Sequence, residues 1–291
     1  YFYAFGGGAR SEKTGVPLAE VKRRMQALAP DPDGEKLFQR MSLAGIDITV
    51  ICVTDNIRNV PADSDIMSIN RTWAQFADRS KGRVVALAGI DPRRKEAPDL
   101  YRRCIEEFGM GGLKWHPDFG HYPNDEDAYK VLKVAEQLGK PLLTHTGPLP
   151  KFYPGPHWRS KYADVRLLDE VAQDFPGLKI IAAHMGRFDW PQWAQLAQYR
   201  PNLYGDLAMW QIFAVASYDR FCRNLRDILD IAGTDSVMFG SDGPGYTALV
   251  TNEEFVQILR DLPQKAPSGI RFTEDEVTAI LGGNAQKVFG I

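Results

Sequence analysis

Cysteine is scarce in this chain, with only Cys52, Cys104 and Cys222 among 291 residues. Their odd number and irregular spacing exclude a disulfide framework and a thiolate-ligated metal cluster. Their apolar settings predict buried free thiols in a reducing, cytoplasmic compartment. Charge of one sign is lacking too: 35 Lys and Arg stand against 37 Asp and Glu, a formal net charge of −2. That balance excludes the basic footprint of a nucleic-acid binder. No apolar run is long enough to span a bilayer, and the opening YFYAFGGGAR has neither the charged nor the apolar region of a secretory signal. A P-loop and a GxGxxG after an early strand are absent as well, and the glycines at 6–8 read as a flexible loop. The partner expected from these exclusions is a small-molecule substrate, with neither nucleic acid nor membrane.

What is present is an alternation of short apolar runs with longer amphipathic segments. Buried strands are predicted at 46–53, 83–90, 111–115, 141–145, 178–184, 202–206 and 236–240. Helices are predicted at 35–44, 65–80, 95–108, 125–138, 161–174, 190–199, 218–232, 251–262 and 274–281, several opening on Asp, Ser or Pro and several closing on Gly. Regular βα alternation with near-continuous apolar strands predicts an α/β protein with a parallel sheet. Seven to eight units favour a (β/α)8 TIM barrel, read as one domain over 1–291. The Pro- and aromatic-rich stretch 147–162 leaves directly from one strand end and is a candidate substrate lid.

Polar residues cluster at the carboxyl ends of these runs, where a parallel barrel gathers its active site. His145 ends PLLTHTG, His184 ends LKIIAAHMGR, and Asp242 follows VMFGS. His145 is the first candidate metal ligand; a core histidine bonded to a backbone carbonyl is the plainer alternative. Asp242 can bind metal or accept a proton from an activated water, or else simply serve the Gly-Pro-Gly turn. His184 is a candidate general acid, with Arg187 as a carboxylate clamp or a surface ion pair. Lys114 and His116, two apart on GGLKWHP, share one face and are candidate substrate-binding residues. Asp206 can brace a histidine or open a helix, and His121 and His157 read as surface or lid residues. Trp115, Phe152, Tyr153, Trp158 and Trp210 can wall an aromatic pocket or pack the core.

From about Leu37 to Ile291 the chain resembles the amidohydrolase-related branch of the amidohydrolase superfamily. The pieces that match are AGIDITVICV, GGLKWHPDFG, KPLLTHTG, IIAAHMGR, VMFGSDGP and GGNAQKVFG, in that order. The resemblance implies a (β/α)8 barrel binding one divalent metal, usually zinc with manganese as the alternative. Its ligands would be a first-strand His-x-His, a fifth-strand histidine (His145) and an eighth-strand aspartate (Asp242), with the sixth-strand histidine (His184) acting on substrate. It also implies a homodimer. No His-x-His occurs in the sequence, so the first strand is expected to be missing from it, upstream of Tyr1; the other account is a metal shell half lost. The leading expectation is a metal-dependent hydrolase of an amide, lactone or ester, with Asp242 taking the proton from water. The alternative is a metal-dependent nonoxidative decarboxylase of a small aromatic or enoic acid, with His184 or Asp242 giving a proton to carbon. A metal-free lactonase and a catalytically inactive small-molecule-binding barrel complete the set.

Overall fold

Helix starts fall where polar caps precede the apolar pattern. Asp65 and Asp125 accept the backbone N–H groups of Met67 and Ala128, each at 2.9 Å. Thr251 and Thr273 close reciprocal capping boxes with Glu254 and Glu276. The structure is a computed structural model that describes residues 14–28, 31–57, 65–148 and 159–291.

In chain order the elements are α1 (Leu18–Leu28), α2 (Glu35–Ala44), β1 (Thr49–Cys52), α3 (Ile66–Arg79), β2 (Val84–Gly89), α4 (Ala97–Glu106), β3 (Gly112–Trp115), α5 (Glu126–Gln137) and β4 (Leu142–His145). Then follow α6 (Leu168–Asp174), β5 (Ile180–Ala183), α7 (Trp190–Tyr199), β6 (Leu203–Asp206), α8 (Gln211–Ala216), α9 (Tyr218–Ala232) and β7 (Val237–Met238). The chain closes with α10 (Asn252–Arg260), α11 (Leu262–Lys265), α12 (Glu274–Thr278) and α13 (Asn284–Phe289). The described residues fall into two units: those within 48–148, 159–205 and 287–291 form one, and those within 14–47 and 206–286 the other.

The first of these units is the βα repeat that the sequence predicts. Strands β1 to β6 pair in chain order, every pair parallel. Strands covered on both faces need apolar residues throughout, and β3 and β5 are buried at all four positions. Leu87, Leu113, Leu142 and Ile180 are fully buried at the centre of the sheet. On α3, Ile66, Asn70 and Ala74 repeat at helical spacing on the buried face. The amide of Asn70 both donates to and accepts from the Gly89 backbone, each at 3.0 Å, fixing the end of β2. Gly89 is required there, because a Cβ would lie 2.5 Å from the Val53 carbonyl oxygen. In β6, a Cβ on Gly205 would lie 2.3 Å from Met185 Cγ and 2.7 Å from the Trp193 ring, so α7 and the turn after β5 pack directly on that backbone.

In the other unit, the Leu207 N–H donates to the Met238 carbonyl of β7 at 2.9 Å. Asn284 donates to the Thr234 and Val237 carbonyls. The buried stripe of α9 runs from Phe221 and Cys222 through Leu225, Ile228 and Leu229 to Ala232, and Phe221 is in ring contact at 6.4 Å with the fully buried Phe255 of α10.

The structure corrects some of these expectations. The helix expected over 161–174 begins only at Leu168, preceded by tight turns at Ser160–Ala163 and Val165–Leu167. Its start is the side chain of Asp164, which caps the second turn by accepting the Arg166 N–H at 3.0 Å. Cys104 and Cys222 are buried free thiols as expected, but Cys52 is exposed. Helices α1, α8, α11 and α13 were not expected. The glycines at 6–8 and most of the lid candidate, including Phe152, Tyr153, His157 and Trp158, lie outside the described residues. Among the described residues no helix is long and apolar enough to cross a membrane.

Candidate metal centre at the strand ends

Register brings the first two site residues together. Trp115 of β3 pairs with Thr144 of β4, so the next residue on each strand, His116 and His145, come side by side. Their rings stack at 4.6 Å with an 11° angle between planes. Phe119 covers the other face of His116 at 4.8 Å and 13°. Between them runs the turn Pro117–Phe119, started by a proline with fixed φ and closed by Gly120 at φ 117°. That turn drives Asp118 inward until it is fully buried. Its Oδ1 lies 3.0 Å from His116 Nδ1, while its Oδ2 has no hydrogen-bond partner among the described residues.

His145 is buried, and its Nε2 likewise has no partner among the described residues. Burial holds its imidazole well below the usual histidine range, against the opposing pull of Asp118. A neutral imidazole is the form that ligates metals. Burial pushes the Asp118 carboxyl up, with His145 opposing. One donor atom each from His116, Asp118 and His145 lies within 4.8 Å of the others, so the three residues can hold a metal ion. Two buried atoms without partners in one close group of donors fit a divalent cation, since a protein rarely leaves such atoms unsatisfied.

His184 follows β5 and joins this group, its ring 5.0 Å from that of His145 in an edge-to-face contact. It stands at φ 69°, and Met185, Gly186 and Arg187 follow at φ 51°, 72° and 60°. Four consecutive residues at positive φ, of which only one is glycine, form strained backbone that must be held from outside. Thr146 does this: its hydroxyl donates to the Ala183 carbonyl at 2.6 Å and accepts the Gly186 N–H at 2.8 Å. Arg187 donates one guanidinium N–H to the Pro148 carbonyl. Lys114 is buried in β3, and its ammonium has no hydrogen bond or ion pair among the described residues. Asp242 lies in the other unit, exposed, at φ 51°, another non-glycine residue in the left-handed region. The carbonyl before it, that of Ser241, is held by the fully buried Gln211 at 2.6 Å. Asp206 accepts the Ala208 N–H at 3.0 Å, the role of a carboxylate opening a turn.

Some residues near the site carried no expectation, and others are placed differently from what the sequence suggests. Asp118 sits two positions after His116, a His-x-Asp spacing visible in WHPDFG. His121, expected at the surface, is buried against the Trp115 edge, and both ring nitrogens lack partners among the described residues. Burial lowers its pKa to about 4. Trp115 is a core residue whose indole N–H reaches the Ile90 carbonyl at 2.8 Å, not a pocket wall. Beside it, Arg94 grips Asp55 through two bonds of 2.6 and 2.8 Å. Arg93 grips Asp91 and reaches the Gly120 carbonyl at 3.1 Å, tying the end of β2 to the turn that bears Asp118. Burial pushes the Asp91 carboxyl up, but Arg93 and His121 together outweigh it, and the net direction is down.

Comparison with known proteins agrees with this architecture. The model of the family described as Amidohydrolase matches residues 54–291. A TIM-barrel protein from Bordetella bronchiseptica superposes with a TM-score of 0.67 at 21% identity, over 94% of this chain and 90% of its own. A 5-carboxyvanillate decarboxylase from Novosphingobium aromaticivorans, with bound manganese, gives 0.69 at 16% identity, over 94% and 85%. A dihydroxybenzoic acid decarboxylase from Polaromonas, with manganese and 2-nitroresorcinol, gives 0.66 at 18%, over 96% and 92%. These likenesses give the chain a TIM-barrel-type α/β fold. No curated protein matches it.

Proposed function

Because the chain belongs to the amidohydrolase family and is an enzyme, we propose that it is a metal-dependent nonoxidative decarboxylase of a small aromatic acid. The observation that carries this reading is the contact between His184 and His145: a histidine able to give a proton stands 5.0 Å, ring to ring, from one suited to hold a metal. The structurally similar decarboxylases, which have manganese bound, support it further.

His145 would hold the ion. A divalent ion there would withdraw electron density from the substrate's carboxylate and neighbouring hydroxyl. Lys114 would pair with the substrate's anionic group inside the barrel mouth, where burial strengthens the attraction. His184 would give its proton to the ring carbon that bears the carboxyl group. The bond to the carboxyl carbon then breaks, its electron pair returns to the ring, and carbon dioxide leaves. One proton is consumed per turnover, and His184 regains it from water.

The family's own description favours a second reading, hydrolysis. Water would then attack the carbonyl carbon and lose its proton to solvent, and His184 would pass one to the leaving group. Carbon dioxide release from hydroxylated benzoates, carboxyvanillate among them, against ester and lactone cleavage distinguishes the two. The decarboxylase reading predicts carbon dioxide and, in heavy water, one deuterium at the vacated ring position. Cleavage of esters with no carbon dioxide from any aromatic acid would overturn it. Zinc and manganese both suit a mixed imidazole and carboxylate shell, and reconstitution of the metal-stripped enzyme with each decides between them.

A further inference from the structure

We propose that His116, Asp118 and His145 bind one divalent cation together, so that the turn after β3 supplies two of its ligands. This rests on the metal-dependent reading above and adds to it a ligand set of this chain's own. Four observations carry it. The donor atoms lie within 4.8 Å of one another. Asp118 Oδ2 and His145 Nε2 are buried and without hydrogen-bond partners among the described residues, a costly arrangement unless a ligand satisfies them. The 3.0 Å between His116 Nδ1 and Asp118 Oδ1 matches the separation of about 3.0 Å between two donors at right angles on one ion, each about 2.1 Å away.

Rigidity is the fourth. His145 ends a strand, and His116 is clamped between the His145 and Phe119 rings. The turn itself is pinned twice, by the Arg159 N–H on the Asp118 carbonyl at 3.0 Å and by Arg93 on the Gly120 carbonyl at 3.1 Å. Two imidazoles and a carboxylate, with no thiolate, select Mn2+, Fe2+ or Zn2+ over soft ions. If Asp118 served only to orient the His116 ring, Asp118→Asn would keep that hydrogen bond and leave metal affinity unchanged.

The test is titration of the full chain, stripped with a chelator, with MnCl2, read by calorimetry and by the electron paramagnetic resonance signal of free Mn2+. Wild type is expected to take up one ion per chain. His116→Asn and Asp118→Asn are each expected to weaken binding by about 10- to 100-fold, with circular dichroism in chelator reporting that the fold is kept. A wild type that binds Mn2+ and two variants that bind it equally well would overturn the proposal and leave the metal-dependent reading standing. A wild type that binds no Mn2+ would overturn both. Where a variant does not fold, the side-chain nitrogen resonances of wild-type His116 and His145 serve instead: Zn2+ is expected to move both, and a response from neither overturns the proposal.

Discussion

Two sets of buried carboxylates at neighbouring strand ends are treated in opposite ways. Beyond β1 and β2, Asp55 and Asp91 are each gripped by two nitrogens of one arginine, and Asp55 also takes the Asp91 N–H at 2.7 Å. Beyond β3, Asp118 is more deeply buried than either and keeps one oxygen without a partner among the described residues. Ionisation follows the partners: Asp91 is held down and Asp118 is pushed up. A carboxylate that is neutralised within the chain braces the scaffold, whereas one left open in a fixed turn waits for a cation. The paired region holds the open one in place, through Arg93 on the Gly120 carbonyl.

Substitutions should separate the two regions. His145→Asn is expected to have the largest effect, removing metal uptake and lowering kcat/KM by about 1,000-fold or more, the scale of losing a metal-based mechanism; turnover within tenfold of wild type would break the assignment. Asp91→Asn leaves a half-buried arginine without its counter-charge and should cost about 2–3 kcal/mol of stability, with Mn2+ stoichiometry kept. Thermal unfolding and metal titration on the same variant check this, and loss of metal with unchanged stability would reverse the contrast. Asp118→Asn should show the opposite pattern, weak metal binding with apo stability at or above that of wild type.

A pH effect sharpens the comparison further. His121 sits between the two regions with its pKa lowered to about 4. Below about pH 6.5 the unfolded chain takes up a proton that the folded chain refuses, so stability is lost as pH falls from 6.5 towards 4. The loss from this group should approach about 3 kcal/mol. His121→Phe should flatten that part of the stability curve, as read by denaturant titration at several pH values; an unchanged slope would remove His121 from the account. The smallest effect belongs to Thr251→Ala, which removes the capping box of α10 and should cost about 1 kcal/mol without altering metal affinity.

Much of the scaffold was legible because hydrophobic period and caps agreed. Helices at 35–44, 190–199 and 218–232 match their expected bounds, and each expected strand is present, shortened at its ends. The segment before Leu168 misled because its polar and apolar residues keep a helical rhythm while Asp164 breaks it through a local side-chain bond. Within the site, His145, His184, His116 and Lys114 were legible as residues at strand ends. Asp118 was not singled out, since its meaning depends on a proline turn that points it inward, and turn geometry leaves little trace in composition. The Asp91–Arg93 and Asp55–Arg94 grips look like ordinary surface charge in one dimension. His121 was misread for the same reason: a histidine after glycine in a polar loop gives no sign that the loop folds under Trp115.

The most direct measurement is anomalous diffraction from crystals of the full chain grown with Mn2+. The account predicts one anomalous peak within bonding distance, about 2.1–2.3 Å, of His116, Asp118 and His145. A peak that excludes both His116 and Asp118, or none at saturating Mn2+, would contradict it.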